Sequence, residues 1–322
     1  MDPRALDCLA CPVCETPLPS TAEADSSAQL RCESGHSFCI EQGVPRLRPE
    51  DASPTDAKGD SSGALSASFS TEWEHFDDEA SRTWHSTVEE RGVLFPREMD
   101  VSPEALRGKI VLDARCGNGT LSEGIARFGC NVLALDVSER VFAAHHYFAE
   151  NGCGRAHFIR GSLLNLPVRH KSVDFIYSSG VLHHNPSTLD ALRAIIPALK
   201  PGGKVYIWVY QREPGMKFRL QLALRRVVAP LPMPLKRTFI YCWSLQSMSR
   251  QHLRTLLGLN DAEDRLSWKE RVVDLMDIYT PRYRWMHTQD ELHRWYRDLG
   301  LSDVKTTEVR KWGFGVVGTA PS

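Results

Sequence analysis

Val111-Leu-Asp-Ala-Arg-Cys-Gly-Asn-Gly-Thr120 reads as the junction of a buried strand, a glycine bend and a helix. Ile110 to Leu112 form a short apolar run, Asp113 ends it, and Gly117 and Gly119 supply the bend. Leu121-Ser-Glu-Gly-Ile-Ala-Arg-Phe128 then carries apolar residues at 121, 125 and 128, which is helical spacing. This order brings a ligand against bare backbone N–H groups, and a Cβ in the bend would hold it off. A second buried strand, Asn131-Val-Leu-Ala-Leu-Asp136, ends in an acid 23 residues after Asp113. An acid there can accept hydrogen bonds from both ribose hydroxyls of a nucleoside. The dinucleotide fingerprint G-x-G-x-x-G does not fit.

The pattern continues. His157-Phe-Ile-Arg160 is a third strand running into Gly161-Ser162-Leu163. Val173-Asp-Phe-Ile-Tyr-Ser178 is a fourth, followed by Ser179-Gly-Val-Leu-His-His-Asn-Pro186. Leu189 to Leu199 reads as a helix, Lys200-Pro-Gly-Gly203 as a turn and Lys204 to Tyr210 as a fifth strand. Leu301 to Lys305 and Phe314 to Gly318 read as a final strand pair.

At "DARCGNG", "SVDFIYSSGVLHHNP" and "LKPGGKVYIWVY" the chain resembles the class I S-adenosylmethionine-dependent methyltransferases, type 11-like. The resemblance implies an α/β, Rossmann-like, seven-stranded doubly wound sheet. It is strong over about 105–210, moderate over the last 40 residues and nearly absent over 211–286. It also implies S-adenosylmethionine as cofactor. Asp113, Arg115, Gly117 and Gly119 would lie beside the methionine part, Asp136 on the ribose, and Ser162 and Leu163 at the adenine. Methyl transfer is an in-line displacement, so holding the partners collinear supplies much of the acceleration. An oxygen or nitrogen nucleophile also needs a proton removed, and histidine suits that near neutral pH. His183 and His184, at the end of the fourth strand, are the positional candidates. Their alternative role is to cap the following turn, and an extended chain would let only one of them face the pocket.

Two positions depart from the family. Arg115 stands where relatives have glycine; in a left-handed conformation it would cost about 1 kcal/mol or more, or its guanidinium pairs with the cofactor carboxylate. Ser162 stands where relatives usually have an acid. Together they keep open a catalytically inactive, methyltransferase-like binding protein.

Residues 1–48 carry Cys8-Leu-Ala-Cys11-Pro-Val-Cys14 and Cys32-Glu-Ser-Gly-His36-Ser-Phe-Cys39. Two such knuckles present four tetrahedral N/S ligands to zinc, and a module this small needs a metal to fold. Cys11, Cys14, Cys32 and His36 are the expected ligands of a structural Zn2+. Cys8 and Cys39 are surplus, and Cys39 competes with His36. The module is similar to zinc ribbons fused to some rRNA guanine methyltransferases, which implies RNA as an alternative acceptor. Its few arginines are outnumbered by acids, so it is no basic patch.

Residues 49–68 are poor in large apolar groups and read as a flexible linker. The methyltransferase domain then spans 69–322, beginning with helices over 69–107, where Trp73, Phe76 and Trp84 are candidates for covering the cofactor. Its insertion, 211–286, is a helical lid. From Gln211 to Leu257 stand nine Lys/Arg against one acid, Glu213, and three prolines at 230, 232 and 234 divide the stretch into two helices. Such a segment suits an anionic substrate, a membrane surface or nucleic acid. Tyr279, Arg282, Tyr283 and His287 are further pocket candidates.

The 322 residues, 42% hydrophobic and 25% charged, are enough for a sizeable core. A net charge of −1 predicts no global attraction to nucleic acid or membrane. Neither a secretory signal nor a transmembrane helix is expected. Nine cysteines read as metal ligands plus buried thiols in a reducing cytoplasm. The expected acceptor is a small molecule, a glycan or a lipid-linked metabolite.

Overall fold

Short runs rich in Val, Ile and Leu, bounded by acids and glycines, become the strands of one large sheet. The computed structural model describes residues 2–18, 29–52, 82–83, 86–212, 215–256, 268–310 and 312–322. Trp73, Phe76, Trp84 and most of the expected linker lie outside the described residues. Near the N-terminus, α1 (Pro3–Leu6) precedes β1 (Gln29–Arg31), β2 (Ser37–Glu41) and β3 (Val44–Leu47). A small hairpin, β4 (Arg82–Thr83) and β5 (Ser86–Thr87), leads into α2 (Val88–Glu98), whose start is a capping box between Thr87 and Glu90. Strands and helices then alternate: β6 (Ile110–Ala114), α3 (Thr120–Ala126), β7 (Asn131–Asp136), α4 (Arg140–Asn151), β8 (Ala156–Gly161), β9 (Val173–Ser179), α5 (Thr188–Ile195) and β10 (Leu199–Tyr210). The insertion holds α6 (Met216–Val228), α7 (Met233–Leu256) and α8 (Trp268–Tyr279). The chain closes with α9 (Gln289–Asp298), β11 (Ser302–Arg310) and β12 (Gly313–Thr319).

The sheet order is β1-β2-β3-β8-β7-β6-β9-β10-β12-β11. Strands β6 to β12 are the seven expected from the sequence. β6, β7, β8, β9 and β10 run parallel, and β12 is antiparallel to both β10 and β11. The chain winds outward from β6 through β7 to β8, then returns to the other side of β6 as β9. That reversal opens a crevice at the carboxyl ends of the strands, where ligands of such sheets bind. Both faces are covered, which is why β6 and β7 read as unbroken apolar runs. One layer packs Leu112, Leu133, Ile176 and Ile207 against Leu192 and Tyr296, and the other packs Val111, Val132 and Tyr177 against Phe95 and Ile125.

The N-terminal module adds three strands to this sheet. β3 pairs in parallel with β8, Arg46 opposite Arg160 and Leu47 opposite Gly161. Leu9 bridges to Val168, and the Ala10 N–H donates to the Pro167 carbonyl at 3.1 Å. Leu9, Leu30, Phe38 and Leu47 are buried in the same apolar cluster as Leu135 and Ile159. The module therefore closes the β8 edge instead of hanging from a tether. Attachment also runs past residue 48: Arg48 grips Asp51 at 2.7 Å through a one-turn 3-10 helix, Pro49–Asp51, and Ala52 is buried. Burial raises the Asp51 carboxyl, but Arg48, Arg46 and Arg160 overcome it and hold its pKa below the usual range.

In the insertion, Pro230 and Pro232 lie between two helices, α6 and α7, while Pro234 falls in the first turn of α7, and α8 is an additional third. Val228, Ile240, Val272, Leu275, Met276 and Tyr279 give these helices a small core of their own. Tyr279, a pocket candidate from the sequence, is thus a packing residue.

Candidate active site

The bend after β6 needs left-handed backbone at three places. Arg115, Gly117 and Gly119 have φ of +77°, +56° and +78°. Glycine is required at 119 for a second reason: a Cβ there would lie 2.7 Å from the Phe158 ring. Arg115 does adopt the left-handed conformation, so the strain expected for a side chain at this position is present. Its backbone N–H donates to the Leu135 carbonyl at 2.7 Å, which holds the bend against β7. Arg115→Gly should therefore raise stability by about 1 kcal/mol, seen as a Tm higher by a few degrees. An unchanged or lower Tm would mean that contacts of the guanidinium outweigh the strain.

The two acids flank the bend. Asp113 is buried and accepts from Ser122 Oγ at 2.6 Å; burial dominates and pushes its pKa up to about 7. Asp136, at the end of β7, accepts the Gly117 N–H at 3.0 Å on one oxygen and the Ser138 N–H at 2.8 Å on the other. It thus shapes the bend from below. A carboxylate has about four lone-pair sites, so two bonds leave capacity for ligand hydroxyls. Ser162 and Leu163 follow the end of β8 and are buried, with Ser162 Oγ accepting the Leu164 N–H at 3.3 Å. All these residues stand on the carboxyl-end side of the sheet.

His183 and His184 do not sit on extended chain. They lie in a 3-10 turn, Leu182–His184, so both rings are buried side by side with centroids 4.2 Å apart. Their surroundings differ. His184 Nδ1 is 3.0 Å from the Tyr283 carbonyl, and its Nε2 is 3.3 Å from Asp277 Oδ1. Burial lowers its pKa while Asp277 and Tyr283 pull the other way. Burial likewise pushes Asp277 up, but His184, Arg284 and Tyr210 overcome it and leave that carboxyl at about 2. His183 has no hydrogen-bond partner on either ring nitrogen among the described residues. Burial, then the charges of His184, Arg284, His287 and Arg115, hold its pKa well below the ordinary histidine value. A neutral imidazole with a free lone pair is a proton acceptor.

The end of β10 and the insertion supply the rest of this cluster. Tyr210 donates to Asp277 Oδ2 at 2.5 Å and packs 4.6 Å from the His183 ring, and the Arg284 guanidinium lies 3.9 Å over the Tyr210 ring. Arg225 of α6 donates to the carbonyls of Ile278 and Pro281, tying down the segment that carries Tyr283 and Arg284. Asp277, Tyr210 and Arg284 were not singled out in the sequence. The available signal was a lone carboxylate at the margin of the apolar stripe Val272, Val273, Met276 and Tyr279. His287 is fastened to Thr188 at 3.0 Å and Glu291 at 3.2 Å. The Arg282 guanidinium lies 5.4 Å over the ring of its neighbour Tyr283.

The second cluster lies in the N-terminal module. One donor atom each from Cys11, Cys14, Cys32 and His36 lies within 4.8 Å of all the others. Cys14 Sγ is 3.7 Å from Cys32 Sγ, and His36 Nδ1 is 3.6 Å from Cys11 Sγ and 3.3 Å from Cys32 Sγ. A tetrahedral zinc with ordinary Zn–S and Zn–N bonds has edges of roughly 3.5–3.8 Å, so the donor set fits. Cys8 is buried elsewhere, its Sγ 3.2 Å from the Arg4 carbonyl, and Cys39 is exposed on β2; neither joins the cluster.

A family model described as a methyltransferase domain matches residues 111–203, the span from the bend through both histidines to the turn before the β10 pairing with β12. The chain carries a class I S-adenosylmethionine-dependent methyltransferase domain. Among its curated relatives is the sterol 24-C-methyltransferase ERG6 of Saccharomyces cerevisiae, 34% identical over 32% of this chain and 28% of the relative. Another is a ubiquinone biosynthesis O-methyltransferase of Xanthomonas campestris, 30% identical over 45% of this chain and 63% of the relative. The chain thus spans less than two thirds of either relative. The methyltransferase domain also shares its fold with an N-methyltransferase of Haemonchus contortus solved with phosphomonomethylethanolamine and S-adenosylhomocysteine. There the TM-score is 0.53 at 13% identity, covering 84% of this chain and 62% of that one.

Proposed function

We propose that this protein transfers a methyl group from S-adenosylmethionine to an oxygen or nitrogen of a small-molecule, glycan or lipid-linked acceptor. The observation that carries the reading is His183: a buried, neutral imidazole without a partner among the described residues, between the Arg115 bend and the lid. Buried polar groups are rarely left so unless water or a ligand completes them. When bound, S-adenosylmethionine would supply an electrophilic methyl on a sulfonium. Asp113, Arg115, Gly117 and Gly119 would shape the seat of its amino-acid tail, Asp136 would take the ribose hydroxyls, and Ser162 and Leu163 would border the adenine. His183 would hold the acceptor's proton, and the Asp277–His184 pair would fix the turn on which it stands. Tyr210 and Trp208 would form an aromatic wall for the acceptor. The names of the relatives favour small-molecule acceptors. In the ribbon, Cys11, Cys14, Cys32 and His36 would hold a structural Zn2+ with no open position for chemistry. The clustered thiols suit a reducing compartment such as the cytoplasm. Among the described residues no helix is long and apolar enough to cross a membrane.

RNA is the less favoured acceptor. Arg46 and Arg48 of the ribbon are engaged with Glu41, Glu50 and Asp51 rather than presented to a phosphate backbone. Titrating S-adenosylhomocysteine by calorimetry tests the cofactor half. Binding is expected for the wild type and should be lost in Gly119→Val, whose side chain would meet Phe158. No wild-type binding would leave only the inactive, methyltransferase-like reading.

A further inference from the structure

Helix α6 has two faces of opposite character. Its inner face carries Arg225 and Val228, both buried, and through Arg225 it holds the segment that delivers Tyr283 to His184. Its outer face is apolar. Met216, Leu220 and Val227 are 76%, 69% and 65% exposed, and Ala223 between them is exposed as well. At 100° per residue these four fall within one narrow stripe. Arg219 and Arg226 are exposed along one flank of the stripe, and neither makes an ion pair among the described residues. Helix α7 repeats the arrangement. Ile240 and Ser244 face inward, while Leu235, Leu245 and Leu253 stand exposed on the opposite side. Tyr241 and Trp268 add a half-exposed aromatic pair, ring centroids 6.2 Å apart.

An apolar stripe edged by arginines is costly in water and fits an anionic bilayer surface: the stripe enters the acyl boundary and the guanidinium groups meet phosphates. Charge complementarity selects this occupant over a second copy of the chain. Self-pairing through the stripe would set Arg219 and Arg226 against their own equivalents. The charge is also segregated, since the whole chain is at −1 while Gln211 to Leu257 has nine cations and one acid. We propose that α6 and α7 seat the protein on anionic lipid surfaces as a peripheral, non-spanning contact. The inner face of α6 is bonded to the segment over His183 and His184, so docking would set the acceptor site beside the lipid. This goes beyond methyl transfer and does not depend on it.

The test is flotation of the full chain with two sets of vesicles, phosphatidylcholine alone and phosphatidylcholine with phosphatidylglycerol in equal parts. Association is expected with the second set only, accompanied by a blue shift of tryptophan fluorescence. Leu220→Glu with Val227→Glu, both at exposed positions, should abolish it. Arg219→Gln with Arg226→Gln should weaken it about thirtyfold, at about fivefold for each arginine near the surface. Circular dichroism and S-adenosylhomocysteine binding report that the variants remain folded. No association with either set, or association unaffected by the glutamates, overturns the proposal. So does concentration-dependent dimerisation through the same residues, or a salt-sensitive shift of RNA in place of vesicle binding.

Discussion

Cys32→Ser is expected to unfold more than the ribbon. With zinc held by these four donors as proposed, removing one would abolish its binding, whose free energy is folding free energy in modules of this size. In this protein the ribbon's last strand pairs with β8, and Leu30 and Phe38 lie in the same cluster as Leu135 and Ile159. Losing the ribbon strips cover from that cluster and leaves the β8 edge unpaired. The cost is several kcal/mol, a large share of the 5–15 kcal/mol that stabilises a typical domain. Calorimetry of the zinc-loaded protein should show one transition, and the variant or a chelator should move all of it downward by on the order of 10 °C. A methyltransferase transition that stays in place while a small one disappears would show that the ribbon folds as an independent body.

His183→Gln is expected to lower kcat by about 10²–10⁴-fold, the usual contribution of a general base. Binding of S-adenosylhomocysteine should be unchanged. The pH profile adds an independent sign. Burial lowers the His183 pKa, so the ring is already neutral at pH 6.5 and becomes protonated only at lower pH. Activity should therefore hold steady from neutral pH down through 6.5 and fall only below that, and the glutamine variant should lose this acid limb. His184→Gln should act differently. It frees Asp277, a buried carboxylate also held by Tyr210 and Arg284, so the loss should appear in stability as well as in rate. Full turnover by His183→Gln would remove this residue from the chemistry.

The methyltransferase half was readable because its strands are buried on both faces and their ends carry acids and glycines. A run such as Asn131–Asp136 has few other structures available to it, and the two-residue offset of Gly117 and Gly119 leaves little choice but a bend. Arg115 illustrates a local conflict that the sequence exposed and the structure retained, as a left-handed arginine. The donor cluster was readable from spacing: the expected set, Cys11, Cys14, Cys32 and His36, is the one that converges, and the surplus Cys39 alternates out of it on β2. The docking of β3 was hidden. Val44-Pro-Arg-Leu47 is four residues with a proline, and nothing local marks β8 as its partner. Asp277 was hidden for a related reason: it meets His184 across 93 positions of sequence, and only the packing of the lid brings them together.

The pairing of Arg46 with Arg160 bears on how the chain is born. The ribbon is synthesised ahead of the strand it lies against, which follows more than a hundred residues later, and loops of that length close slowly. During that interval β3 and the ribbon's apolar side have no neighbour to shelter them. Early capture of a metal ion would keep the nascent module compact until β8 arrives, so that a part made before the core strands would reach its place only after them.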